Sequence, residues 1–266
     1  MKKRGQLSVF IVVGIVLIVV FMLFFFFRDK ITKTLREEPI NPQEYLNQQL
    51  DDIKMEIGRC VNQETSKASK LLMENGGVFN RKFGFIRYIN ISYPVLCREI
   101  NGTGSCLAEP ILISNLQGKL GTYLPEKINK CINLESFKNK DYSLVFRVGN
   151  LTAVILDEII VVDLGFYVKL SKGPYIAEKD SFVYNLNIPL GAFSKLANSL
   201  LQVKAGGTEI NSLFYELLSF NKYLIQVRKP YPDEVYDITL TNNDKYHFYF
   251  AIEGIGRYER VEGRLR

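Results

Sequence analysis

The 266-residue sequence has one histidine, His247, and no tryptophan. A single imidazole removes most metal and proton-relay schemes built on paired histidines. His247 alternates with apolar neighbours in Tyr246-His247-Phe248-Tyr249-Phe250, the pattern of a residue on one face of a strand. No Cys-x-x-Cys pair is present, so a cysteine-rich zinc site lacks its usual spacing. No phosphate loop is present either. Gly102-Thr103-Gly104 and Gly254-Ile255-Gly256 lack the third glycine and the strand-helix setting of a dinucleotide fingerprint. These absences lead to an expectation of no catalytic residue, no cofactor and no metal, in a protein that is not an enzyme.

A basic surface is also missing from the body of the chain. The formal net charge is +6. Residues 1–36 hold seven Lys/Arg and one Asp, which leaves 27 residues of each sign in the remainder. The excess therefore belongs to the N-terminal region. Nucleic-acid binding leaves a basic footprint on the domain that does it, so no nucleic-acid partner is expected.

What the chain does have is an uncharged run from Leu7 to Phe27, LSVFIVVGIVLIVVFMLFFFF. As a helix its 21 residues would measure roughly 31 Å, close to the hydrocarbon thickness of a bilayer. The reading is a single-pass transmembrane helix over 7–27, after a basic tail over 1–6. A secretory signal would have a shorter core and small residues at its cleavage site; Arg28-Asp29-Lys30 follows here instead. Cations flank both ends, so orientation rests on the three-cation tail and on the cysteines. The expected location is the cell membrane, with the N-terminus cytoplasmic, the main domain extracytoplasmic and the lipid bilayer as partner. A domain held in the cytoplasm is the alternative.

The opening Lys3-Arg4-Gly5-Gln6-Leu7-Ser8 resembles the class III signal of archaeal type IV pilins and archaellins. The resemblance implies processing between Gly5 and Gln6, leaving the apolar segment on the mature chain. Those proteins usually carry Glu at the fifth mature position, which here is Phe10; that Glu is associated with subunit register in filaments. The start also resembles archaeal membrane-anchored proteins that continue with a Cys-bearing helix closed by Gly-Gly. From this comes the expectation of a structural, adhesive or assembly role at the envelope, with protein partners or self-assembly.

The four cysteines are Cys60, Cys97, Cys106 and Cys131. An even count in an exported domain suggests two disulfides. Of the three pairings, Cys97–Cys106 would close a short loop and Cys60–Cys131 would join two helices. Four buried free thiols are the alternative. Sequons at Asn90, Asn101 and Asn150 add only weak support for an outside location.

Beyond a juxtamembrane segment over 28–41, the pattern divides into a helix-and-strand part over 42–137 and a sheet part over 138–256. A charged tail over 257–266 follows. Asn41-Pro42 starts a helix and Gly76-Gly77 stops it. Residues 78–99 read as strand, and 114–137 as a helix interrupted at Pro125. From Asp141 the period becomes two, with Gly149-Asn150 as a hairpin turn. Helices follow over 192–203 and through Leu213, Leu217 and Leu218, then closing strands near 223–227, 235–240 and 246–252. The fold class is α+β: long N-terminal helices plus an antiparallel sheet, as an ectodomain on the single N-terminal transmembrane helix.

Carboxylates are the one chemistry that needs no rare residue. Asp157, Glu158 and Asp163 flank one strand, and Asp233 and Glu234 follow Pro232. They would serve a membrane-tethered ligand-binding or hydrolytic ectodomain, the alternative function, although turn carboxylates are ordinary. Ser171-Lys172 and Ser194-Lys195 are adjacent pairs and form no spaced dyad. Tyr223, Tyr231, Tyr236, Tyr246, Tyr249 and Tyr258 crowd the C-terminal end, either as a recognition face or as sheet packing.

Overall fold

The structure, a computed structural model, describes residues 14–19, 21–22, 41–79, 84–100, 105–138 and 141–254. The first long helix, α1 (Pro42–Glu74), begins where Asn41 accepts a hydrogen bond from the Gln43 N–H at 3.0 Å. Its inward stripe holds Leu46, Ile53, Ile57, Cys60, Val61, Ala68 and Leu72, spacings that keep one face inward. Gly76 and Gly77 end it at φ +64° and +81°, and the Gly77 N–H closes back on the Leu72 carbonyl at 2.7 Å. A side chain at those angles would be strained.

Strands β1 (Phe85–Tyr88) and β2 (Ile91–Glu99) form a tight hairpin, followed by β3 (Cys106–Ala108). The helix α2 (Ile113–Cys131) runs through Pro125 without a break. A meander of three long strands comes next: β4 (Ser143–Ile155), β5 (Ile159–Lys172) and β6 (Tyr175–Asn187). Two helices follow, α3 (Leu190–Ala205) and α4 (Ser212–Leu218), then β7 (Tyr223–Arg228), β8 (Glu234–Leu240) and β9 (Asn243–Glu253).

The strands make two sheets. One is the three-stranded β4-β5-β6; the other is six-stranded, ordered β1-β2-β9-β8-β7 with β3 on β2. A continuous hydrophobic core joins Leu72 and Leu124 of the helices to Phe166, Phe182, Phe193, Phe248 and Phe250. Each such side chain contributes about 1.5–3 kcal/mol on burial. The core draws on both 42–137 and 138–256, and β2 pairs directly with β9.

The α+β content is as the sequence suggests, but three details differ. The transmembrane helix is corrected: among the described residues no helix is long and apolar enough to cross a membrane. Residues 14–19 and 21–22 are helical, fewer than the roughly 20 apolar residues a span requires. The rest of 7–27 lies outside the described residues, as do the tail over 257–266 and Gly5 and Gln6. Secondly, the larger sheet is mixed, because β2 and β9 run parallel. Thirdly, Gly149-Asn150 makes no hairpin. Both residues sit inside β4 at a register shift against β5, and a Cβ on Gly149 would stand 2.7 Å from the Gly165 carbonyl oxygen. Facing glycines let two bulged strands cross closely and stay continuous.

The molecule has two distinct ends. At one, Gln43 of α1 donates to the Ile176 carbonyl at 2.9 Å, and Tyr45 packs on Tyr142. At the other, the β4–β5 turn meets the start of α3 through the Ala192 N–H and the Asp157 carbonyl, 2.9 Å apart. Between them runs the length of β5, roughly 45 Å for its 14 residues.

Candidate functional site

The structure forms both disulfides, Cys60–Cys131 and Cys97–Cys106. The first ties α1 to the last residue of α2; the second ties β2 to β3. Beside Cys106 lies a cavity of about 170 Å³, lined also by Glu99, Lys204, Pro232, Glu234 and Gly254. It takes in Glu234, one of the carboxylates singled out in the sequence.

Glu234 opens β8, and Lys204 stands in the last turn of α3. Their charged atoms are 3.0 Å apart, with both side chains largely buried. The second Glu234 oxygen accepts from the Tyr236 hydroxyl at 2.5 Å. Tyr236 is itself buried, stacked on Phe250 with ring centres 4.6 Å apart. Burial pushes the Glu234 carboxyl up, but Tyr236, Lys204 and Lys229 outweigh it and hold the group below its ordinary value. Burial, and then Glu234, push the Tyr236 phenol far above its usual range. A carboxylate so held takes up a proton poorly near neutral pH. The cluster therefore acts as an electrostatic clip between α3 and β8. Next to it, Asp233 accepts from the Gly254 N–H at 3.1 Å, and burial raises its carboxyl.

A second polar group lies on the face of the larger sheet. His247 Nδ1 stands 3.0 and 3.1 Å from the two oxygens of Asp237. Burial raises the Asp237 carboxyl, opposed by the His247 hydrogen bond and charge and by Arg228. Tyr249 lies 5.4 Å from the imidazole centre and meets Tyr93 edge-on. The Asp237 carboxylate faces Nδ1 and so fixes the orientation of the ring. The sequence pattern alone gives His247 a strand face and gives Asp237 no role. The missing signal is register: Asp237 pairs with Tyr249 and Ile238 with Phe248, which puts Asp237 diagonally beside His247.

The remaining candidates are dispersed. Asp157 pairs with Lys195 at 2.5 Å, and Glu158 pairs with Lys222, both at the β4–β5 turn. Asp163 is exposed on β5, opposite Thr152 and Val183. These three do not join Asp233 and Glu234 in one cleft. The Ser194 hydroxyl donates to the Leu190 carbonyl at 2.6 Å, so it forms no dyad with Lys195. Lys172 lies over the Tyr45 ring. Of the tyrosines, Tyr236 and Tyr246 are buried and Tyr223 meets Phe193 edge-on. Tyr231 is 81% exposed. Tyr258, Gly102, Gly104 and Gly256 lie outside the described residues. Among the described residues no three His, Cys, Asp or Glu side chains group to hold a metal ion.

No family model matches the chain, and neither does any curated protein or solved structure. The reading of function therefore rests on the residues and their arrangement.

Proposed function

We propose that this chain is a membrane-anchored extracytoplasmic protein with a structural, adhesive or assembly role at the cell envelope, and that it is not an enzyme. The observation that carries the reading is the pair of disulfides, which take up all four cysteines. Bonds of this kind persist where thiols are not kept reduced. The described part of the apolar run agrees: Ile15, Leu17, Ile18, Phe21 and Met22 all stand exposed, as expected of a surface whose cover is lipid or another subunit. The type IV pilin-like opening would be processed between Gly5 and Gln6. Four of the five candidate carboxylates are engaged within the fold: Asp157, Glu158 and Glu234 by lysines and Asp233 by the Gly254 N–H. The alternative of a ligand-binding or hydrolytic ectodomain draws on the Glu99–Glu234 cavity alone.

The test is thiol labelling of sealed cells with and without reductant, using an impermeant maleimide. The expected result is labelling only after reduction, from outside. Four thiols that react without reductant, and only once the membrane is opened, would sink the proposal. N-terminal sequencing of the mature chain separately reads whether Gln6 is its first residue.

A further inference from the structure

We propose that the outward face of α4, with the turn after it, is the surface through which two copies of this chain pair. The inference specifies the assembly role proposed above, on which it rests. Helix α4 has seven residues and none is buried. Leu213 is 61% exposed, Phe214 53%, Leu217 59%, Leu218 62% and Phe220 95%. Leu213 with Leu217, and Phe214 with Leu218, make two neighbouring rows at i, i+4 spacing. The contacts that hold α4 to the body use other residues. Tyr215 packs against the core, and Glu216 turns back to accept the Ile225 N–H of β7 at 2.7 Å.

The turn after α4 adds to the face. Phe220 and Asn221 both take left-handed backbone, φ 52° and 56°. That conformation is uncommon for a bulky side chain and persists only where the surroundings impose it. Here the Asn221 N–H reaches the Glu216 carbonyl at 2.8 Å, and the Asn221 carbonyl accepts from the Thr241 hydroxyl. The result holds an aromatic ring almost wholly in solvent.

Two observations favour a second copy as the cover. The first is area. With Leu224 of β7, 40% exposed, the face presents about 700 Å² at roughly 200 Å² for a fully exposed large side chain. That exceeds the usual largest apolar patch on a monomer and approaches the ~800 Å² each partner gives to a stable interface. The second is charge. Between Ile210 and Asn221 the one charged residue is Glu216, which is turned inward. Two such faces can meet across a two-fold axis without like charges opposed, and parallel i, i+4 rows are self-complementary under that symmetry. The Lys222–Glu158 ion pair fixes this face beside the β4–β5 turn. Glu216 takes the Ile225 N–H at the edge of β7, and the pairing proposed is helix to helix.

The experiment uses the full chain in phosphatidylcholine vesicles. Light and isotopically heavy chains are mixed and treated with a homobifunctional amine reagent. Links joining a light to a heavy peptide through Lys222, at the margin of the face, are expected. Leu217→Asp and Phe220→Asp should each lower their yield about tenfold or more with an unchanged circular dichroism spectrum. Met55→Glu, exposed on α1, should not. Absence of mixed links, or links that survive both substitutions, overturns the proposal. So does labelling of the α4 peptide by a photoreactive acyl chain in the same vesicles, which would make lipid the cover. Cross-link yield reads pairing and thiol accessibility reads location, so each proposal can fail without the other.

Discussion

Helices α3 and α4 follow one another in the chain and use the same apolar residue types, yet they end in opposite environments. Helix α3 buries Leu190, Phe193, Ala197, Leu200 and Leu201, while α4 buries nothing. The difference lies in what each one crosses. Helix α3 packs against β2, β3, β5 and β9 and so closes the core between the two sheets; α4 touches β7 at the sheet edge. Two helical turns at an edge can turn only one side inward, and Tyr215 and Glu216 take it. Apolar spacing marks a helix face that wants to be covered. It does not say whether the cover comes from the same chain.

The strongest way to break this contrast is to delete one aromatic ring from each helix. Phe193→Ala removes a fully buried ring that meets Tyr223 edge-on, and should cost about 3–5 kcal/mol of stability, read from the urea midpoint. Phe214→Ala on α4 should change it by at most about 0.5 kcal/mol, as an exposed position does. Equal costs would mean that α4 belongs to the core. Next in size is the staple between α1 and α2. Replacing Cys60 and Cys131 by Ser releases a loop with a sequence separation of 71, a loss of about 4 kcal/mol by loop entropy. The same change at Cys97 and Cys106, separated by 9, should cost about 3 kcal/mol. The reverse ranking would show that the two long helices hold together without their bridge.

Much of this arrangement is legible in the sequence where a local rule decides it. Asn41-Pro42 and Gly76-Gly77 bound α1 because a cap and a left-handed stop act within a few residues. The cysteine pairing follows from loop size and helix placement. What could not be read locally is what depends on distant chain. Gly149-Asn150 carries a hairpin signal, but Gly165 across the ladder turns it into a bulge. The parallel pairing of Val95 with Ala251 joins segments about 150 residues apart, and neither advertises the other. Asp237 gains meaning only once its register places it beside His247. The apolar run over 7–27 shows the opposite error: length and hydropathy alone give a spanning helix, and the described residues do not supply one.

The smallest effect expected is also the sharpest comparison, because it reads the cover that α3 provides without unfolding anything. Tyr223 sits under Phe193, with the Lys222 ammonium over its ring. Burial first, and Asp157 second, raise its phenol above the ordinary value. A folded-state value above the unfolded one means that the folded chain holds the proton more tightly. The resulting stabilisation is complete below about pH 10 and is lost as pH climbs through the folded value. Phe193→Ala should uncover the phenol and move its titration down, flattening the alkaline limb of stability against pH. Asp157→Asn should move it less, because the charge is the smaller cause. Leu217→Ala, on the face that α4 turns away from the core, should leave it where it is. The measurement is tyrosine absorbance at alkaline pH, read as the difference from a Tyr223→Phe chain. A titration that shifts with Leu217→Ala and stays fixed with Phe193→Ala would reverse the assignment of the two helices.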